Sequence, residues 1–214
     1  MSFEKIGRIF SLSPYDVLMR LRFRYYRLKG LLFYRWVFKS FGKGSVIYPP
    51  MLIGNPKFIR IGKGVVIQEG VRLEAVIVDP ANPPAIFIGD GVNIEQNVSI
   101  SAVGKIYIGN HVGIGARSTI IGSSHPFFDV HDPTKISARI GGVGSVTEIG
   151  DYCFMGVNDV IQMNVKLGKY VVVGANTVVK SNVTDYSVVE GNPAAVILTY
   201  NKEEDRWVRP AKKS

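Results

Sequence analysis

The stretch from Ile149 to Val179, IGDYCFMGVNDVIQMNVKLGKYVVVGANTVV, returns to an aliphatic side chain at every sixth residue: Ile149, Met155, Ile161, Leu167, Val173 and Val179. Glycine follows four of these directly, at Gly150, Gly156, Gly168 and Gly174. Neither the helical period of about 3.6 nor simple strand alternation gives a repeat of six. A short strand followed by a tight turn does, because each unit then forms one flat side of a coiled prism. The repeating residue points to a narrow axis, and the small residue after it lets the backbone turn with little steric cost. Three sides close a coil of roughly eighteen residues, and stacked coils bury a continuous apolar column. An antiparallel sandwich with glycine turns is the competing reading. Its strands vary in length and would not keep six-residue phase over about thirty residues.

Upstream the spacing recurs in Ile47, Ile53 and Ile59; in Ile61, Ile67 and Leu73; in Ile88, Ile94, Ile100 and Ile106; and in Ile108, Ile114 and Ile120. Between Ile120 and Ile149 it fails, and the gap holds SSHPFFDVHDPTK, residues 123–135. A polar, histidine-bearing excursion on a regular scaffold is where function concentrates. The expected organisation is an all-β solenoid over 45–187 with a protruding loop at 122–148. A basic segment at 1–44 precedes it, and a cap or tail at 188–214 follows.

The chain has 214 residues, 46% of them apolar, which suits one packed domain with appendages. Its single cysteine, Cys153, reads as a small apolar filler. One cysteine permits no internal disulfide framework, so a reducing cytoplasm is the expected compartment. The N-terminus has no small-residue cleavage site after an apolar stretch, so no signal peptide is expected. No span has the apolar length of a membrane crossing.

Eight of the nine net positive charges fall in residues 1–43, where ten Lys and Arg face only Glu4 and Asp16. Leu18, Leu21, Tyr25, Leu28 and Leu32 recur there at helical spacing, with Arg20, Arg24 and Arg27 on another face. Two readings fit this basic amphipathic helix and the aromatics Phe33, Tyr34, Trp36, Phe38 and Phe41 after it. It makes a peripheral contact with anionic membrane or a polyanionic substrate, or its apolar face caps the open end of the solenoid. No nucleic-acid recognition motif accompanies the charge.

The units IGDGVN, IGNHVG, IGDYCF and VGANTV resemble those of the hexapeptide-repeat acyltransferases, over roughly residues 45–198. The blocks IGNHVGIGARSTIIGSSHP, IGDYCFMGVNDVIQMNVKLGKYVVVGANTVVKSNV and VVEGNPAAVI follow the order of galactoside and maltose acetyltransferases. The basic N-terminus and the ending YNKEEDRWVR are more similar to enzymes that O-acetylate bacterial surface polysaccharides. The resemblance implies a left-handed parallel β-helix, acetyl-CoA as co-substrate without a metal, a sugar or lipid-linked glycan acceptor, and a homotrimer with clefts between subunits.

His125 is the candidate general base. An alcohol is a poor nucleophile near neutral pH, and imidazole, with an ordinary pKa of about 6.5, can take its proton. In the family the histidine precedes a proline at the start of the excursion, as in His125-Pro126. His131 is the reserve, and His111 falls at a polar turn where a surface role is expected. Members of the family place a Glu soon after the histidine; here PFFDV leaves Asp129 or a backbone carbonyl to orient the ring. The resemblance further assigns Asn97 to the acceptor, against the alternative of an Asn tolerated at a turn. It assigns the backbone at Val157 and Ala175 to the pantetheine arm, and Lys180 and Ser181 to the cofactor phosphates. Lys180 also reads as a solvated turn cation, and Ala195 stands where the family often has a basic residue. Two other classes use this fold: a non-catalytic scaffold, and a gamma-type carbonic anhydrase with zinc on three histidines. His111, His125 and His131 do not follow the latter's ligand pattern.

Overall fold

The computed structural model describes residues 13–210; Glu4, Lys5 and Arg8 of the basic segment lie outside them. Within that range the chain winds as a three-faced parallel β-helix, the hexapeptide-repeat solenoid expected from the period, with the left hand implied by the family resemblance. The first face stacks Ser40–Phe41, Ile59–Ile61, Ala85–Ile88, Lys105–Ile108, Val146–Ile149 and Lys166–Leu167. The second stacks Val46–Ile47, Val66–Ile67, Asn93–Ile94, Gly113–Ile114, Phe154–Met155, Val172–Val173 and Ser187–Glu190. The third stacks Leu52–Gly54, Arg72–Ala75, Ser99–Ala102, Thr119–Gly122, Val160–Ile161 and Val178–Val179.

Register explains the spacing. Ile149 lies beside Leu167, Met155 beside Val173 and Ile161 beside Val179, so each turn of the upper prism takes eighteen residues. Lower coils take twenty, as in Ile47 beside Ile67 and Ile94 beside Ile114. The two added residues lengthen the first-face strands, so Ile59 with Ile61 and Ile106 with Ile108 both point inward, and the phase restarts there. The repeating residues form the core, each no more than 3% exposed apart from the partly buried Ile53. Two coils are much longer, and both release their extra residues at the end of the third face, over 76–84 and 123–145. The hexad spacing marks only the second of these.

The N-terminal helix, Pro14–Lys29, starts at a capping box: the Ser13 hydroxyl accepts from the Asp16 N–H, and the Asp16 carboxylate accepts from the Ser13 N–H. It continues through a π turn, Gly30–Tyr34, into the single turn Arg35–Val37. Its leucine stripe does not cap the solenoid: Leu18, Leu21, Tyr25, Leu28 and Leu32 are 53–63% exposed. Met19, Arg22 and Tyr26 face the prism instead. Arg22 pairs with Glu69 and lies over the Tyr48 ring, which also packs against Tyr26. The open end of the core is closed by Tyr34, Phe38 and Phe41, whose rings pack 5.6–5.7 Å apart. Among the described residues no helix is long and apolar enough to cross a membrane.

At the other end the parallel stacking runs on to Val189, past the boundary expected at 187, and the antiparallel strands Ala195–Asn201 and Arg206–Val208 extend the second face.

Candidate active site

The larger excursion is closed at its base by an antiparallel bridge, with the Ser124 and Gly141 N–H groups each donating to the other's carbonyl. Gly142, at φ +116°, packs so close that a Cβ would stand 3.0 Å from the Gly122 carbonyl and 3.1 Å from the Met163 sulfur. Glycine alone fits there. Inside the loop, Arg139 organises the chain. Its Nε, Nη1 and Nη2 donate to the carbonyls of Thr134, Asp129 and Asp132 at 2.9, 2.9 and 2.6 Å, and it pairs with the Asp132 carboxylate. The planar guanidinium fork can serve several acceptors that an ammonium could not.

The backbone carbonyl of the same residue lies 3.1 Å from His125 Nδ1. A carbonyl only accepts, so the proton of the neutral ring belongs on Nδ1, and Nε2 keeps its lone pair facing outward from an exposed side chain. Of the two orienting groups left open by the sequence, the structure supplies the carbonyl. Asp129 turns elsewhere, its carboxylate accepting from the His131 N–H at 2.9 Å. His111 is remote from the loop. It adopts φ +56° at the corner between the first and second faces and stacks on Tyr152 at 5.0 Å, the lowest rung of a ladder that continues through Tyr170 and Tyr186.

Val157 and Ala175 stand one coil apart at the corner between the second and third faces, where the Asn176 N–H donates to the Val157 carbonyl. The coils nearly touch: a Cβ on Gly156 would lie 2.7 Å from the Ala175 nitrogen. One coil below, the corresponding N–H of Ala116 turns outward and donates to the Glu95 carboxylate at 3.1 Å. Among the described residues the N–H groups of Val157 and Ala175 meet no acceptor. The two N–H groups are thus free donors one coil apart.

Asn97 belongs to the same corner. It shares the left-handed conformation of Arg117, Asn158 and Asn176, with φ between 58° and 62°, and that conformation by itself favours Asn. Arg117 Nε donates to Asn158 Oδ1, and Asn158 Nδ2 to Asn176 Oδ1. Lys180 and Ser181 are exposed beyond Val178–Val179, on the edge that also carries the His125 loop. The candidate residues therefore divide. His125, Lys180 and Ser181 occupy one edge of the third face; Asn97, Val157 and Ala175 occupy the other, a four-residue strand or about 13 Å away.

The sequence reading missed Arg139 and Asp159. Asp159 sits four residues after Met155, at a position filled by Val71, Val98, Ser118 and Thr177 in other coils, and is fully buried behind the Val157 corner. Its Oδ1 accepts from the Thr177 N–H at 2.9 Å, while Oδ2 has no partner. Burial pushes its pKa up to about 6. A carboxylate where the repeat wants a small or apolar side chain was the available signal. Cys153 is buried, donates to the Gly168 carbonyl, and has its thiol pushed by burial to about 11, so it is not a nucleophile at neutral pH. Among the described residues, no group of three or more His, Cys, Asp or Glu converges to hold a metal.

The family model described as hexapeptide repeat of succinyl-transferase matches residues 146–181. By sequence, no curated protein matches the chain. Among solved structures, AntD, an N-acyltransferase from Bacillus cereus in complex with dTDP and 3-hydroxybutyryl-CoA, is similar at 20% identity. That match covers 80% of this chain and 88% of that one, with a TM-score of 0.62. PerB from Caulobacter crescentus, in complex with CoA and GDP-perosamine, aligns at 20% identity over 80% and 65% of the two chains, TM-score 0.51. A maltose O-acetyltransferase from Clostridium difficile 630 aligns at 24% identity over 76% and 70%, TM-score 0.50. The repeat and the fold are those of this group of proteins.

Proposed function

We propose that the chain is an acyltransferase that moves an acetyl group from acetyl-CoA to a sugar hydroxyl, in the biosynthesis of a bacterial surface polysaccharide such as O-antigen, capsule or exopolysaccharide. The observation that carries this reading is the His125 ring, held through Nδ1 by the Arg139 carbonyl with Nε2 presented as a base. Acetyl-CoA supplies the activated acyl thioester. His125 Nε2 takes the hydroxyl proton as the sugar oxygen bonds to the thioester carbonyl carbon. The Val157 N–H donates to the oxygen that gains charge there, a role any residue can fill because the donor is backbone. As the carbon–sulfur bond breaks, the imidazolium returns its proton to the sulfur, leaving an ester and a free thiol. In this reading, which follows the family resemblance, Lys180 and Ser181 meet the cofactor phosphates, and Asn97 is the acceptor-side contact.

Base and donor stand on opposite edges of one third face, so a single chain does not complete this site. A neighbouring copy that sets its Val157 corner against the His125 loop does. Cyclic symmetry then gives a homotrimer with three equivalent clefts.

The test is release of free thiol from acetyl-CoA across a panel of acceptors: nucleotide sugars, lipid-linked sugars and finished glycans, each offering a hydroxyl or an amine. Thiol release dependent on a hydroxyl sugar is the expected result. Turnover only with amino sugars would move the reaction to N-acylation, and failure to bind CoA at all would favour a non-catalytic scaffold.

A further inference from the structure

The N-terminal helix meets the first coil of the solenoid along a groove of about 540 Å³. Leu28, Leu31 and the Phe41 ring line it, and it ends against Gly42–Ser45. Four exposed cations, Arg24, Arg27, Arg35 and Lys43, surround it, and no carboxylate does. Arg27 reaches over Gly44, where a Cβ would lie 3.8 Å from a guanidinium nitrogen. Among the described residues the helix's ion pair is that of Arg22 with Glu69, on the face turned to the prism. Beyond the groove Leu32, Phe33 and Trp36 are 54–78% exposed, with the Arg35 guanidinium 4.9 Å from the Trp36 ring.

These features select the occupant by exclusion. A free phosphate or nucleotide satisfies the cations but leaves the apolar floor wet. An apolar peptide covers the floor but leaves four cations without counter-charge. An anionic amphiphile does both, its phosphate among the guanidinium forks and its hydrocarbon on the leucines and Phe41. The volume is that of an ordinary ligand pocket. The exposed leucines and Trp36 next to it suit the plane between head groups and acyl chains, where a basic helix with an apolar stripe lies.

We propose that this groove binds one anionic phospholipid at a membrane surface and so holds the solenoid there, with the helix lying in the interface. This inference stands apart from the acyl-transfer reading and survives its failure.

The experiment is co-sedimentation of the full chain with phosphatidylglycerol vesicles and with phosphatidylcholine vesicles. Binding to the former alone is expected. Arg27→Gln/Lys43→Gln should lower partitioning roughly thirtyfold. Arg20→Gln/Lys39→Gln, which removes equal charge away from the groove, should lower it by less than about threefold, and Leu31→Asp should weaken it as the groove pair does. All the substituted side chains are exposed, and matched thermal melts check that each variant folds. Equal losses in the two double variants would reduce the contact to diffuse surface charge and overturn the proposal. So would full binding by Leu31→Asp, equal binding to both vesicle types, or binding to neither. Release by inorganic phosphate at matched ionic strength would make this a free-phosphate site, which also overturns it.

Discussion

Single residues carry most of what is specific here. Two of them, His125 and Asp159, differ in how they could be read. His125 stood out as a candidate because a histidine before a proline interrupted a six-residue rhythm. Its orienting partner did not, because a backbone carbonyl fourteen residues on leaves no mark in residue type. Asp159 makes a separate prediction. Its folded pKa, about 6, lies above the ordinary 3.8, so the fold prefers the protonated carboxyl. The stability tied to that proton is full below about pH 4 and is lost as pH rises through 6. Asp159→Asn keeps the acceptor for the Thr177 N–H and removes the charge. Its melting temperature should gain on wild type more at pH 8 than at pH 5; a difference independent of pH would show that the carboxyl is not the titrating group. Asn97 teaches the reverse lesson. Its left-handed backbone accounts for an Asn before any ligand is considered, as it does at Asn158 and Asn176.

At the scale of elements, the hexad spacing fixed which residues point inward, because a prism axis admits one aliphatic chain per side. It did not reveal the excursion at 76–84. Leu73 and Ile88 lie fifteen apart, and the restart at Ile88 looks like one more change of phase among several. Nor did the helical spacing of Leu18, Leu21, Tyr25, Leu28 and Leu32 reveal what covers them, since amphipathicity states that a face is apolar and not what it meets. The loop over 123–145 has no apolar core of its own, and Arg139 replaces one by gathering three carbonyls. Arg139→Ala retains the carbonyl that orients His125 but releases the turns around it. Turnover should fall by about tenfold or more, with KM for acetyl-CoA and the global melt nearly unchanged. Arg139→Lys should restore little of it, because an ammonium cannot span the three acceptors in one plane. Wild-type turnover in both variants would show that the loop holds His125 without this clamp.

For the whole molecule, the division of the candidate site between two edges of one face is the controlling fact. Under the proposed function that division makes assembly part of the chemistry, so light scattering of the purified chain should give about three times its 23.6 kDa. A fully active monomer would contradict that arrangement. The central claim, that the chain moves an acyl group with His125 as its base, is tested most directly by acceptor-dependent thiol release from acetyl-CoA in wild type and His125→Ala, with CoA affinity measured alongside. The account predicts a fall in kcat of roughly 10²–10⁴-fold at nearly unchanged CoA affinity. Near wild-type turnover in His125→Ala, or a loss confined to His131→Ala, would contradict it.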